Sequence, residues 1–145
     1  MIFRTESKIE GATLNIRAFY INDKGYPNED AFNEDVIVSV KKRNHKNKVD
    51  ISNFKLKIPK AGIFIGLEWM IVESNKYKFE REDLIKGFQN DHRFEPCLSL
   101  NTTDKDNTFR YQYGKWHKRT LDDNPKFQFT YKKNIEPAIN LTLTN

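Results

Sequence analysis

The sequence predicts an all-β protein, an antiparallel β-sandwich of jelly-roll type. Three observations support this fold class: apolar and polar residues alternate with period two from end to end, helical periodicity is scarce, and turn-forming residues separate the alternating runs. Aromatic residues make up 13% of the 145 residues and include eleven Phe, which indicates a packed core rather than a disordered chain. The length predicts one domain that spans residues 1–145.

The alternating segments are predicted to be strands. They are residues 13–21, 36–41, 54–58, 109–113, 127–131 and 139–143. Clusters of turn-forming residues lie at 23–28, 60–62, 103–107 and 122–125. Residues 62–72 are apolar on both faces apart from Glu68, a pattern typical of a central strand that is covered on both sides.

Two charged segments are predicted to lie outside the strands. Residues 41–48 carry five cations and no acid, and we expect a solvated loop between two strands. The acidic residues at 29–35 offset this charge, which disfavours nucleic acid as a partner. Residues 74–94 are predicted to form a long charged connection, because the short helix that residues 80–86 could make is stopped at once by Gly87.

Composition excludes several classes of protein and of site. The formal net charge is +5, from 25 Lys and Arg against 20 Asp and Glu, so the charge balance is weak evidence about partners. Cys97 is alone, so neither an intramolecular disulfide nor a thiolate metal cluster is expected. Three scattered His predict no metal site, and no motif predicts a cofactor. No apolar stretch approaches the roughly 18 residues of a membrane span.

Glu68 is the carboxylate that most needs an explanation, because it interrupts an apolar segment. An ionised group among apolar neighbours is costly unless it is paired. Arg17 interrupts its own strand in the same way, so we predict a structural ion pair between Arg17 and Glu68. The alternative is an enzyme in which Glu68 or a His acts as general acid or base. No second carboxylate or His lies at a diagnostic spacing, so a non-enzymatic protein is the prediction.

An aromatic and basic cluster at 111–119 is the candidate ligand-binding site. Tyr111, Tyr113 and Trp116 lie among several cations, a composition that suits stacking on sugars or bases. The alternative is a strand whose aromatic side chains face the core and whose cationic tail is solvated. Burial of all three rings would exclude a sugar-binding platform.

Four blocks of the sequence together resemble a known bacterial region. They are Tyr-Pro-Asn-Glu-Asp-Ala-Phe at 26–32 with Asp-Val-Ile-Val at 35–38, Val-Asp-Ile-Ser-Asn-Phe at 49–54 leading to Ile-Pro-Lys-Ala-Gly-Ile-Phe-Ile-Gly-Leu-Glu-Trp at 58–69, Asn-Thr-Phe at 107–109 with Gly-Lys-Trp at 114–116, and Ala-Ile-Asn-Leu-Thr-Leu at 138–143. This combination, which covers about residues 12 to 145, resembles the β-sandwich region that follows a carboxypeptidase-regulatory-like domain in cell-envelope proteins of Bacteroidota.

The resemblance implies an accessory or interaction module, binding a glycan or a protein, and carries over no catalytic residues. It implies that Trp69 and Trp116 anchor the core, and that the protein is located in the cell envelope. The first residues lack the basic-then-apolar pattern of a secretory signal, so the expectation is a segment of a longer exported protein. A purely structural domain that positions a neighbouring domain is the alternative role.

Overall fold

The computed structural model describes residues 1–83, 86–105, 107–119 and 134–143. The strands in these ranges are β1 (Ile2–Ser7), β2 (Ala12–Ile21), β3 (Pro27–Asp30), β4 (Val36–Val40), β5 (Arg43–Lys48), β6 (Ile63–Trp69), β7 (Lys76–Asp83), β8 (Gly87–Phe94), β9 (Cys97–Leu98), β10 (Leu100–Thr103), β11 (Phe109–Gln112), β12 (Lys115–Lys118), β13 (Asn134–Pro137) and β14 (Ile139–Asn140). Two single-turn 3₁₀ helices, Ser52–Phe54 and Glu73–Asn75, complete the regular structure of the described residues. The predicted all-β antiparallel sandwich is confirmed.

Two antiparallel sheets form the layers of the sandwich. In the first sheet, β1 lies between β5 on one side and the short strands β9 and β14 on the other. In the second sheet, β2 lies between β6 on one side and β3 and β4 on the other. Further two-stranded pairs, β7–β8, β10–β13 and β11–β12, accompany these sheets.

The core lies between the inner faces of the two sheets. Alternation decides which side chains enter it: along β1, Phe3 is fully buried while Arg4 and Glu6 are exposed. Along β2, Leu14, Ile16 and Ala18 are buried in the same cluster as Phe3. Burying such apolar side chains contributes about 1.5–3 kcal/mol each for residues of the size of Leu or Phe, so this cluster supplies the main stabilisation of the sandwich.

The strands predicted at 13–21, 36–41 and 109–113 are confirmed to within one or two residues by β2, β4 and β11. For residues 139–143, only the first two lie in a strand, β14. The strand predicted at 127–131 and the turn predicted at 122–125 lie outside the described residues.

The segment predicted as a central strand at 62–72 contains strand β6. Among the described residues β6 pairs with β2 alone. Both faces of β6 make apolar contacts. Ile65 and Leu67 pack against the core, whereas Phe64 on the outer face is covered by Phe109 of β11, with ring centroids 5.0 Å apart.

The predictions for two segments are wrong: residues 41–48 are mostly a strand, and residues 54–58 are not a strand. All six residues of β5 pair with β1, so most of the cationic run is a strand and not a loop. Among the described residues β5 has no second partner strand and lies at the edge of its sheet. Lys side chains are common on edge strands because they oppose aggregation through the exposed edge. Residues 54–58 are not a strand: Phe54 ends a 3₁₀ turn and packs against Phe32, and Lys55 has a φ of 47° that interrupts extended backbone.

The prediction of a charged connection at 74–94 is wrong, because most of this segment lies in two paired strands. Strands β7 and β8 pair from Lys76↔Phe94 to Asp83↔Gly87, and residues 80–83 belong to β7. The apolar alternation was hidden because charged residues flank Tyr77 and Phe79. Cross-strand contacts such as Arg81 with Asp91, at 3.6 Å, take the place of a buried apolar face.

Candidate functional site

The β11–β12 hairpin carries the three aromatic residues of the predicted ligand site. Its strands pair from Phe109↔Lys118 to Gln112↔Lys115, which leaves Tyr113 and Gly114 as a two-residue turn. Both turn residues have positive φ, 54° for Tyr113 and 76° for Gly114, as the type I′ turn of a tight hairpin requires. Gly adopts this conformation freely, whereas Tyr is strained in it.

One face of the hairpin is anchored on the outer face of the second sheet. The ring of Phe109 lies 5.0 Å from the rings of both Tyr26 and Phe64, in edge-to-face geometry. The ring of Trp116 lies 5.0 Å from that of Phe19 in the same geometry. Aromatic pairs of this kind contribute about 0.5–1.5 kcal/mol each beyond the area they bury, so the hairpin is held on a rigid support.

The tip of the hairpin projects into solvent. Tyr111 is 59% exposed and Tyr113 is 88% exposed, while Trp116 is half-buried. Tyr111 and Trp116 meet edge to face, with an interplanar angle of 62° and centroids 5.1 Å apart. The three predicted residues therefore share one hairpin, but Tyr111 and Trp116 do not form a flat platform. Trp69 lies elsewhere, and the expectation that it anchors the core is wrong because it is 50% exposed.

Trp69 is exposed because it lies at the last position of β6, at the margin of the core. Its indole Nε1 donates a hydrogen bond of 2.7 Å to the carbonyl oxygen of Pro96. Beside it a small apolar crevice is lined by Leu14, Leu67 and Leu98. Trp69 therefore closes the end of the sandwich and does not fill its centre.

The Arg17–Glu68 contact is present beside the hairpin, on the outer face of the second sheet. Arg17 Nη1 donates to Glu68 Oε2 over 3.1 Å, and Arg17 Nε donates to Asp30 Oδ2 over 2.7 Å. Burial by itself would lower the pKa of Arg17, but hydrogen bonds and charge from Asp30, and then from Glu68, raise it above the ordinary value. The guanidinium thus stays charged and links β2 to strands on both of its sides.

Asn15 connects one further carboxylate, that of Asp35, to this pair. Its Nδ2 donates to Asp35 Oδ1 over 2.9 Å and to Glu68 Oε2 over 3.1 Å, while its Oδ1 accepts from the backbone N–H of Val36 over 2.9 Å. Sequence reasoning missed Asp30, Asp35 and Asn15 as members of this cluster. Their only signal was polarity, because the cross-strand register that joins them is set by tertiary packing.

The cluster holds neighbouring strands together. Glu68 Oε2 accepts hydrogen bonds from both Arg17 and Asn15, and the side chain is half-exposed. Among the described residues the three His lie on separate strands, His45 on β5, His92 on β8 and His117 on β12, and none of them contacts Glu68 through a hydrogen bond.

We expect Arg17→Met to lower the free energy of unfolding by about 1–2 kcal/mol, because it leaves Asp30 and Glu68 without their shared cation. Glu68→Gln should cost less than about 0.5 kcal/mol, since an exposed pair contributes little and the amide oxygen still accepts hydrogen bonds. Urea unfolding of both variants checks this order. A larger loss for Glu68→Gln than for Arg17→Met would contradict the central position of Arg17.

A second group of polar residues surrounds Cys97 on the first sheet. Burial, and then the negative charge of Glu95, raise the pKa of the Cys97 thiol, which disfavours a nucleophilic thiolate. Glu95 itself is fully buried, and its Oε1 accepts a hydrogen bond of 2.8 Å from Arg93 Nε. In the described part of the chain, no group of three or more His, Cys, Asp or Glu side chains is arranged to hold a metal ion.

Comparisons with known proteins give no match: no family model, no curated protein and no solved structure is similar to this chain. None of the helices in the described ranges has the length and hydropathy needed to cross a lipid bilayer.

Proposed function

We propose that this chain is a non-enzymatic interaction module whose contact surface is the tip of the β11–β12 hairpin, with glycan chains as ligands. The observation that carries the proposal is Tyr113, an aromatic residue that is strained and exposed at once. Exposed Tyr side chains are characteristic of recognition surfaces, because they supply contact area at a low cost in side-chain entropy.

The backbone conformation of Tyr113 destabilises the fold. A non-glycine residue at a φ of 54° is disfavoured by about 1 kcal/mol, and Asn or Gly is the usual residue at this position of a type I′ turn. The ring recovers little of this cost by packing, since the residue is 88% exposed. Strain that packing does not repay is characteristic of functional positions. Contact with a ligand is the role that would explain the Tyr.

The surroundings of the tip suit a sugar chain. Tyr111 presents a second exposed ring two residues away, and the exposed cations Arg110 and Lys115 offer donors to hydroxyl or carboxylate groups. Because Tyr111 and Trp116 meet at 62°, the sugar is expected to stack on single rings rather than across a flat pair. The rings of Phe109 and Trp116 pack on the sheet beneath the tip. These contacts keep the tip preorganised.

The cell envelope is the proposed location, and this part of the proposal rests on the resemblance to envelope β-sandwich regions. A surface glycan or an extracellular polysaccharide is the class of ligand available there. Fractionation of the source cells with an antibody against this chain tests the location. Recovery of the chain in the cytosolic fraction would contradict it.

Tyr113→Asn separates the contribution of this residue to stability from its contribution to binding. We expect the variant to gain about 0.5–1 kcal/mol in the free energy of unfolding, because Asn is tolerated at positive φ. We also expect it to lose glycan binding at least tenfold. Thermal unfolding and a glycan array on the purified protein measure the two effects. A stability gain together with unchanged binding would overturn the hairpin as the contact surface.

Phe88→Asn is the matched control, because Phe88 is an exposed aromatic residue on the separate β7–β8 hairpin. It removes an exposed ring without touching the proposed site, so glycan binding should be unchanged. Equal loss in both variants would indicate nonspecific adhesion through exposed rings. A wild-type protein that binds no glycan on the array would support the alternative role, a structural module that positions a neighbouring domain.

A further inference from the structure

We infer that the outer face of the first sheet is a second binding surface, which takes an acidic polysaccharide. This cationic face consists of Arg4 on β1 with Lys46 and Lys48 on β5. It lies on the opposite side of the sandwich from the β11–β12 hairpin, because the inner faces of the two sheets pack against each other in one core. The inference is independent of the hairpin proposal.

The strand register places the three cations together. Arg4 and Lys46 are directly paired across β1 and β5, and Lys48 lies two residues further along the same face. Directly opposed residues are about 5 Å apart, and residues two positions apart on a strand are about 7 Å apart. All three side chains are exposed, whereas Phe3 and Thr5, the neighbours of Arg4 in the sequence, are buried.

This arrangement is unfavourable for the fold alone. Like charges directly opposite each other in a sheet destabilise it, yet Arg4 faces Lys46. In the described part of the chain, no carboxylate lies within 4.0 Å of any of the three cations. Glu6 on the same face pairs with Lys8 at 3.2 Å. Asp50 attracts Lys48 electrostatically without forming an ion pair with it. An anionic ligand would supply a counter-charge to Arg4 and Lys46.

The chemistry of the face favours a polysaccharide over nucleic acid. Proteins that bind single strands combine cations with aromatic rings on which the bases stack. The outward positions of β1 and β5 hold Ile2, Arg4, Glu6, Asn44, Lys46 and Lys48, without an aromatic residue. The Asn44 amide can bond to hydroxyl groups, while the cations bind carboxylate or sulfate groups that recur along a sugar chain.

Titration of the whole chain with heparin and with polygalacturonate tests the inference, since the first carries sulfate as well as carboxylate groups and the second only carboxylates. We expect both to bind, and Arg4→Gln with Lys46→Gln and Lys48→Gln to weaken binding at least tenfold. The slope of log K against log salt should fall by about two to three, one for each lost contact. Stronger binding of heparin would identify sulfate as the preferred group, and equal binding would identify carboxylate.

The matched control replaces three other exposed cations, Lys24, Lys60 and Lys105, with Gln, so the net charge changes equally. Its affinity for both polysaccharides should fall less than threefold. Equal loss in the two triple variants would overturn the inference, because it would show that net charge alone acts. An oligothymidylate that binds as tightly as the polysaccharides, or a chain that binds neither polysaccharide, would overturn it too. Lys46→Gln alone provides the readout if a triple variant fails to fold.

Discussion

Replacing Asn75 with Asp is expected to lower the free energy of unfolding by about 3–5 kcal/mol. The side chain of Asn75 is fully buried and bonds to both backbone groups of Thr13: its Oδ1 accepts from Thr13 N–H over 2.8 Å, and its Nδ2 donates to Thr13 C=O over 2.7 Å. Nδ2 also donates to the carbonyl oxygen of Met70 over 2.8 Å. The side-chain amide of Asn75 therefore pairs with Thr13 as a backbone peptide group of a neighbouring strand would.

This contact continues the second sheet where β6 ends. The pairing of β2 with β6 stops at Leu14↔Trp69, so Thr13 has no residue of β6 opposite it. A carboxylate at position 75 would lose both donated hydrogen bonds and would place a buried negative charge against two carbonyl oxygens. Unfolding in urea measures the effect.

Asn53→Asp is the control, because it makes the same chemical change at an exposed residue. It should alter the free energy of unfolding by less than about 0.5 kcal/mol. A loss below about 1 kcal/mol for Asn75→Asp would contradict the role assigned to this amide.

The second large effect is expected at the buried carboxylate of Glu95. Arg93→Met should cost about 2–3 kcal/mol, because it removes the hydrogen bond and the charge that accompany a fully buried carboxylate. Glu95 Oε2 has no hydrogen-bond partner in the part of the chain that the structure describes, so this oxygen cannot compensate. This loss in the free energy of unfolding is smaller than for an ion pair enclosed on all sides, because the side chain of Arg93 is 43% exposed. Loss of the contact between Arg93 and the ring of Tyr77, at 5.8 Å, adds a small part.

The double variant Arg93→Met with Glu95→Met distinguishes an unpaired charge from simple loss of packing. Removing both partners leaves no buried charge, so the double variant should be more stable than Arg93→Met alone. Urea unfolding of the two single variants and the double variant gives the coupling energy directly. Additive losses would contradict the argument.

The strands that could be predicted from the sequence are those with one face toward the core and the other face outward. Strand β2 was predicted because Leu14, Ile16 and Ala18 face the core while Asn15 and Arg17 face outward. The contact between Arg17 and Glu68 was predicted for a related reason, since each interrupts an apolar segment and requires a partner. The second partner, Asp30, could not be predicted, because its place beside Arg17 depends on the register of β3.

The elements that sequence reasoning missed lack this contrast between two faces. Most side chains of β5 and of the β7–β8 hairpin are partly or fully exposed, so their apolar alternation is short, as at Tyr77 and Phe79, or absent. Asn75 lies in the same charged region, and its role depends on contacts 62 residues away in sequence. For the candidate site, composition identified Tyr111, Tyr113 and Trp116. Only the structure revealed that Tyr113 is the strained residue at the tip and that Trp116 supports the hairpin.

The central claim is that the hairpin tip contacts a glycan, and a titration monitored by amide nuclear magnetic resonance tests it most directly. The probe is an uncharged glycan bound on the array, added to the uniformly labelled chain. The predicted result is a set of chemical-shift changes concentrated at residues 110–115, with the amides of Tyr113 and Gly114 changing most and those of β1 and β5 unchanged. Changes elsewhere, with the signals of Tyr113 and Gly114 unmoved at saturation, would contradict the claim.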